Sequence, residues 1–105
     1  MSNEKLQQLQ ILEQSLQQLL MQKQSFQAQL MEVESAQEGT KATDEVYKII
    51  GNILIKSRKA DVEKELGEKK QMLDIRIKNI EKQEEATRER VKKLRQEVLK
   101  TIEKK

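Results

Sequence analysis

The chain has 105 residues, of which 35% are hydrophobic and 37% charged, with one Phe, one Tyr and no Trp. This length allows one domain at most, and the few bulky side chains exclude a compact globular core. The net charge is only +3, and acidic residues interleave with the basic ones, so a nucleic-acid-binding surface is not expected. A long two-helix coiled coil fits this composition, because it needs only a narrow apolar seam.

The first predicted element is a helix over residues of about 4–39. Its apolar residues follow a heptad, in which the steps alternate between three and four residues. The seam consists of Leu9, Leu12, Leu16, Leu19, Lys23, Phe26, Leu30 and Val33. Gly39 then offers a left-handed helix end, and residues 40–45 form a polar connector.

The central stretch, residues 46–56, differs from the rest because its apolar residues are crowded and mostly β-branched. Gly51-Asn52 lies between the two apolar runs, which is a β-hairpin signal. The alternative is an apolar loop between two helices, but a simple helical turn does not need so many β-branched residues. A hairpin is therefore the favoured prediction.

The third predicted element is a second helix over residues of about 59–104. Asp61 and Glu63 lie near its start and Lys104 and Lys105 at its end, as the helix dipole favours. Its seam consists of Leu66, Lys70, Leu73, Ile77, Ile80, Glu84, Thr87, Val91, Leu94, Val98 and Thr101.

The two seams, assigned separately, match each other when the chain folds back at Gly51-Asn52. Residues that face each other then have numbers adding to 103, as do Leu9 and Leu94. This register places Lys23 and Glu84 in adjacent layers of the seam, where they can pair diagonally. Such a pair lowers stability but fixes the register of a coiled coil.

An isolated two-stranded hairpin is not stable in water, and its open edges invite other strands. We therefore expect hairpins from several chains to assemble into an intersubunit sheet or barrel. The expected assembly residues, called here the hairpin cluster, are Val46, Tyr47, Ile49, Ile50, Ile53, Leu54 and Ile55.

Antiparallel folding brings the start of the first helix to the end of the second. Several apolar residues gather there, some of them off the seam, and exposed apolar surface on a charged protein marks an interaction site. This set, called here the tip cluster, consists of Leu6, Leu9, Ile11, Leu12, Val98, Leu99 and Ile102. The alternative is that these residues only close the end of the coiled coil or scatter singly on its surface.

The segment EVYKIIGNILIK at residues 45–56 closely resembles the hairpin motif of the β-type subunit of archaeal prefoldin. QKQSFQAQL at residues 22–30 and IEKQEE at residues 80–85 are similar to coiled-coil segments of that family. The resemblance extends over nearly the whole chain, although only the hairpin motif is specific.

This resemblance implies a fold, a function and partners. The fold is mainly α, a long antiparallel two-helix coiled coil whose central hairpin assembles into a β-barrel. The function is that of an ATP-independent chaperone subunit in a hexamer of two α-type and four β-type subunits. The hexamer captures non-native client proteins at its coiled-coil tips and delivers them to a group II chaperonin.

The sequence predicts neither an enzyme nor a cofactor site. No His or Cys is present, and the glycines are too far apart for a phosphate-binding loop. We expect no metal site, no membrane contact and no signal peptide, and hence a cytoplasmic protein.

Two other functions fit parts of the sequence. A structural or adaptor coiled coil that binds one folded partner has the same seam, but it does not need open strand edges. A nucleic-acid binder would use the basic second helix, but it would favour an uninterrupted basic run, which is absent.

Overall fold

The structure of the chain, a computed structural model, describes residues 2–103. It consists of helix α1 (Ser2–Lys41), strand β1 (Val46–Ile50), strand β2 (Ile53–Ser57) and helix α2 (Lys59–Glu103). The predicted fold class, two long helices with a central antiparallel hairpin, is confirmed. The expected helix end at Lys104 lies outside the described residues.

The predicted helix end at Gly39 is wrong. Helix α1 continues through Gly39 to Lys41, and Gly51 is the only described glycine with a positive φ. The seam explains the difference, because it runs on beyond Val33 to Thr40, one heptad later, which is also buried. The Thr40 hydroxyl donates a hydrogen bond of 2.7 Å to the carbonyl of Ala36, one turn earlier in the helix.

The heptad seams are the buried parts of both helices. Their most deeply buried side chains are Val33, Leu73, Ile77, Ile80, Glu84 and Val91. The other predicted seam residues are half-buried, with the exception of Thr101, which is exposed. Thr101 lies near the end of α2, where the seam register leaves only the first residues of α1 to face it.

The chain forms two compact units, each with a part of both helices. Unit 1 contains the residues up to Ser25 together with those from Lys78 onward, and unit 2 runs from Phe26 to Ile77. In unit 1 the helix parts are antiparallel, as the ion pairs between Lys5 and Glu97 at 3.6 Å and between Glu13 and Arg95 at 2.7 Å show.

The predicted diagonal pair lies in the seam of unit 1. Lys23 Nζ donates a hydrogen bond of 2.8 Å to Glu84 Oε1, and the Glu84 side chain is only 2% exposed. Glu84 Oε2 is buried without a hydrogen bond, and Arg88 Nη2 is 3.9 Å away. Because the carboxylate has so little contact with water, its charge depends on these two cations, and Lys23, which is hydrogen-bonded to it, is the closer one.

Unit 2 contains the hairpin and the helix parts that lead into it and out of it. In its helical part, the Arg76 guanidinium lies 5.6 Å from the centre of the Phe26 ring, within the range of a cation–π contact. The strands pair antiparallel, with Ile50 opposite Ile53 and Val46 opposite Ser57. The predicted hairpin and its register are therefore confirmed.

Gly51 provides the unusual backbone conformation that the turn requires. Its φ is +61°, and no other described residue has a positive φ. A positive φ at only the first of the two central residues is the pattern of a type II′ turn, in which glycine is favoured at this position.

Candidate functional site

The residues of the hairpin cluster lie on two faces of the sheet, and the strand register assigns each residue to a face. Residues directly opposite each other in an antiparallel pair lie on the same face, and neighbours along a strand alternate. One face carries Tyr47, Ile49, Leu54 and Lys56. The other carries Val46, Lys48, Ile50, Ile53, Ile55 and Ser57.

The face with Val46 is the one attached to the helices. Val46 is buried, and Lys48 on the same face forms an ion pair with Glu65 of α2. No residue of the opposite face is buried. The two faces therefore differ: one is anchored at its base, and the other, with Ile49 and Leu54, is open.

Six of the seven residues of the hairpin cluster remain exposed, Val46 being the exception. The sheet has only two strands, so each strand has one hydrogen-bonded neighbour among the described residues. Aliphatic faces and unpaired strand edges of this kind are the features by which strands from different chains join. The hairpin thus has the physical features of an association surface.

The structure brings the tip cluster together in unit 1 and divides it into two groups. The Lys5–Glu97 ion pair ties the start of α1 to the end of α2, and these residues are the chain neighbours of Leu6 and Val98. The half-buried members, which belong to the seam, are Leu9, Leu12 and Val98. The exposed members are Leu6, Ile11, Leu99 and Ile102.

Sequence reasoning did not identify two further features. Ile75 is an exposed apolar residue on α2 in unit 2, and it belongs to neither cluster. A basic stripe also runs along α2 in unit 1 beside the seam, through Arg88, Lys92 and Arg95. Its signal in the sequence is a second heptad, displaced by one residue from the seam.

Residues 2–103 contain neither a membrane-spanning helix nor a cluster of metal-ligating side chains. Neither helix there is apolar enough over a sufficient length to cross a bilayer. No cluster of three or more acidic side chains is placed to hold a metal ion in that part of the chain.

Comparisons with known proteins agree with this architecture. The family model described as "Prefoldin subunit" matches residues 3–105. The crystal structure of the prefoldin beta subunit from Thermococcus strain KS-1 has a TM-score of 0.89 to this chain at 31% identity. That match covers 95% of this chain and 90% of the other.

Curated relatives are similar over shorter segments. Prefoldin subunit beta of Archaeoglobus fulgidus is 50% identical over 64 residues, which are 59% of this chain and 55% of that protein. Prefoldin subunit beta of Methanococcus vannielii is 43% identical over 60 residues, or 57% of this chain and 53% of that protein. The chain thus spans about half the length of these relatives. Because the family model covers nearly all of it, the chain belongs to the prefoldin subunit family, as the hairpin motif at residues 45–56 indicates.

Proposed function

We propose that the chain is the β-type subunit of an ATP-independent holding chaperone in the cytoplasm. Hairpins of two α-type and four β-type subunits close into a β-barrel platform. The coiled-coil tips capture non-native proteins, and the hexamer delivers them to a group II chaperonin. Membership of the prefoldin family supports a chaperone role, and the exposed hairpin cluster supports the assembly.

The observation that carries the proposal is the exposure of aliphatic side chains at the tip. Leu6, Leu99 and Ile102 stay exposed on helices whose other surface residues are mainly charged or glutamine. Each such side chain offers only a weak contact to a client. Several tips that grip one client act together, because binding at one tip raises the effective concentration at the others.

An aggregation assay tests this function. The chain is assembled with an α-type subunit, and a chemically denatured client is diluted into nucleotide-free buffer with it while light scattering is followed. We expect suppression near one hexamer per client. The double variant Leu6→Gln/Leu99→Gln should need several-fold more hexamer, since partial burial of each leucine against a client contributes only a fraction of the free energy of full burial, which is about 1.5–3 kcal/mol.

The matched control is Met31→Gln/Ile75→Gln, which alters two exposed apolar residues outside the tip cluster. This variant should suppress aggregation like the unmodified chain. No suppression by a verified hexamer of the unmodified chain would contradict the chaperone function and favour an adaptor with one folded partner. Equal losses in both variants would contradict the role of the tip.

A further inference from the structure

One side of unit 1 carries a continuous stripe on α2 that the seam does not use. Successive residues of this stripe are alternately four and three positions apart in the sequence. Each of them comes directly after a seam residue. Such residues line one flank of the seam. From residue 88 to the tip, the stripe consists of Arg88, Lys92, Arg95, Leu99 and Ile102; towards the start of α2 the same spacing continues through the acidic Glu81 and Glu85.

Helix α1 contributes a matching stripe to the same flank. In an antiparallel coiled coil, the residues that follow the seam on one helix lie beside those that follow it on the other. The ion pair between Glu13 Oε1 and Arg95 Nη2, at 2.7 Å, shows this pairing directly. The stripe of α1 consists of Leu6, Gln10, Glu13, Gln17 and Leu20. We call the two stripes together the basic flank.

Three of the four exposed members of the tip cluster lie on the basic flank, namely Leu6, Leu99 and Ile102. Ile11, the fourth, belongs to neither stripe. The exposed aliphatic residues at the tip are therefore concentrated on one side of the coiled coil.

A groove of about 440 Å³ opens along the basic flank. Leu16, Val91 and Leu99 supply its apolar lining, with Val91 buried beneath the surface. Its charged lining residues are Arg88, Lys92, Arg95 and Glu13. The groove therefore has an apolar floor, and the charged residues around it are three basic side chains and one acidic side chain.

The three basic residues differ in how far their charge is already compensated. Arg95 pairs with Glu13, and Arg88 lies 3.9 Å from the carboxylate of Glu84. Lys92 has no ion pair with any of the described residues, and its side chain is exposed. The positive charge of the groove is therefore in excess and accessible to a partner.

A second groove in unit 1, on the opposite flank, serves as an internal comparison. Its volume is about 360 Å³, and none of its lining residues is charged. They are Ser15, Gln18, Leu19, Gln22, Gln83, Ala86 and Thr87. Of these two grooves, only the one on the basic flank is therefore lined by excess positive charge; basic residues on the opposite flank, such as Lys93, lie outside the second groove.

We propose that the basic flank is the client-binding face of this subunit, and that it selects non-native segments combining aliphatic with acidic side chains. This inference rests on the proposed holding function and names the client chemistry. A client aliphatic residue packs against Leu16 and Leu99 while a neighbouring carboxylate pairs with Lys92. Basic segments are disfavoured there, because like charges repel across the contact.

Two fluorescent peptides of equal length and equal aliphatic content test the selection, one with Glu and one with Lys at the remaining positions. Their binding to the full chain, assembled with an α-type subunit, is measured by fluorescence anisotropy. We expect the Glu peptide to bind about threefold tighter or more. High salt should shrink the difference, because it screens exposed charges.

Lys92→Glu and Lys93→Glu form a matched pair of charge reversals on adjacent exposed residues. Lys93 precedes a seam residue instead of following one, so it lies on the other flank. Lys92→Glu should abolish or invert the preference, whereas Lys93→Glu should preserve it. Helical circular dichroism checks that both variants fold.

Equal binding of the two peptides by a hexamer that suppresses aggregation would overturn the selection and leave the holding function intact. Equal effects of the two reversals would overturn the assignment to this flank. Binding of neither peptide, together with no suppression of aggregation, would contradict both the holding function and the selection.

Discussion

The seam of the two helices and the hairpin contain the same kinds of aliphatic side chain in opposite surroundings. In the seam, Leu73 is 1% exposed and Ile80 is 6% exposed. In the hairpin, Ile49 is 74% exposed and Leu54 is 64% exposed. The helices cover their apolar seam within the chain, whereas the hairpin leaves most of its aliphatic side chains uncovered by the described residues.

Geometry accounts for this difference. A heptad seam is narrow, and a chain that folds back on itself brings a second seam to cover it. A two-stranded sheet has two broad faces and two edges, and here the helices reach only its base, at Val46 and Lys48. The seam therefore stabilises the subunit, and most of the aliphatic surface of the hairpin stays available for the assembly proposed above.

The largest expected effect comes from charging the open face of the hairpin. Ile49→Asp/Leu54→Asp should weaken assembly with the α-type subunit by roughly a thousandfold, because each buried aliphatic side chain contributes about 2 kcal/mol. Light scattering after gel filtration measures the mass of the particle. Helical circular dichroism should remain, since the seam is unchanged.

The control for this change is Met31→Asp/Ile75→Asp, which places the same charges on exposed helical positions. It should assemble normally. Normal assembly of the hairpin variant would break the comparison, because it would show that the open face is not an association surface.

The next effect concerns the buried pair in the seam. Lys23→Leu should destabilise the chain by about 3 kcal/mol, because it leaves the Glu84 carboxylate buried without its partner. The double variant Lys23→Leu/Glu84→Leu should recover this loss and can exceed the original stability. Urea unfolding followed by circular dichroism measures both variants.

The exposed pair between Glu13 and Arg95 supplies the control. Glu13→Gln should change stability by less than about 1 kcal/mol, since exposed ion pairs contribute little. If Lys23→Leu had an equally small effect, the Glu84 carboxylate would have to be compensated by another group, and Lys23 would not be its principal partner.

The smallest effects come from the glycines, and they should have opposite signs in the two regions. Gly39→Ala should stabilise α1 by about 0.5–1 kcal/mol, because alanine is the better helix former. Gly51→Ala should destabilise the hairpin by about 1–2 kcal/mol, because its φ of +61° disfavours a side chain.

A Cβ added at either position would meet nothing within 4 Å. Steric clashes therefore do not contribute to the change in stability of either variant. Thermal unfolding of the two variants under identical conditions gives the signs. Destabilisation by Gly39→Ala would show that the glycine has a role beyond helix propensity.

Much of the fold could be predicted from the sequence because its signals are local or periodic. The heptads fix both seams, Gly51 in the middle of the β-branched run fixes the turn, and the shared register predicts the Lys23–Glu84 pair. The tip cluster follows in the same way, since antiparallel helices must bring their outer ends together.

What could not be predicted depends on contacts between distant residues. Local chemistry favours a helix end at Gly39, but seam packing at Thr40 keeps the chain helical.

The two faces of the hairpin are both aliphatic, so the pattern does not show which is anchored. The contact of Lys48 with Glu65 decides it. The basic flank was missed because its heptad mixes basic and aliphatic residues.

The helical glycines of unit 2 have a mechanical consequence. Gln37 and Lys41 line one groove together with Glu63 and Lys70. Gly39 and Gly67 therefore lie at about the same level of the two helices, and neither is required by close packing. Each lowers local helix stability by about 1 kcal/mol relative to alanine. Opening of the helical hydrogen bonds in unit 2 is therefore expected to cost least at this one level, where the two glycines lie side by side.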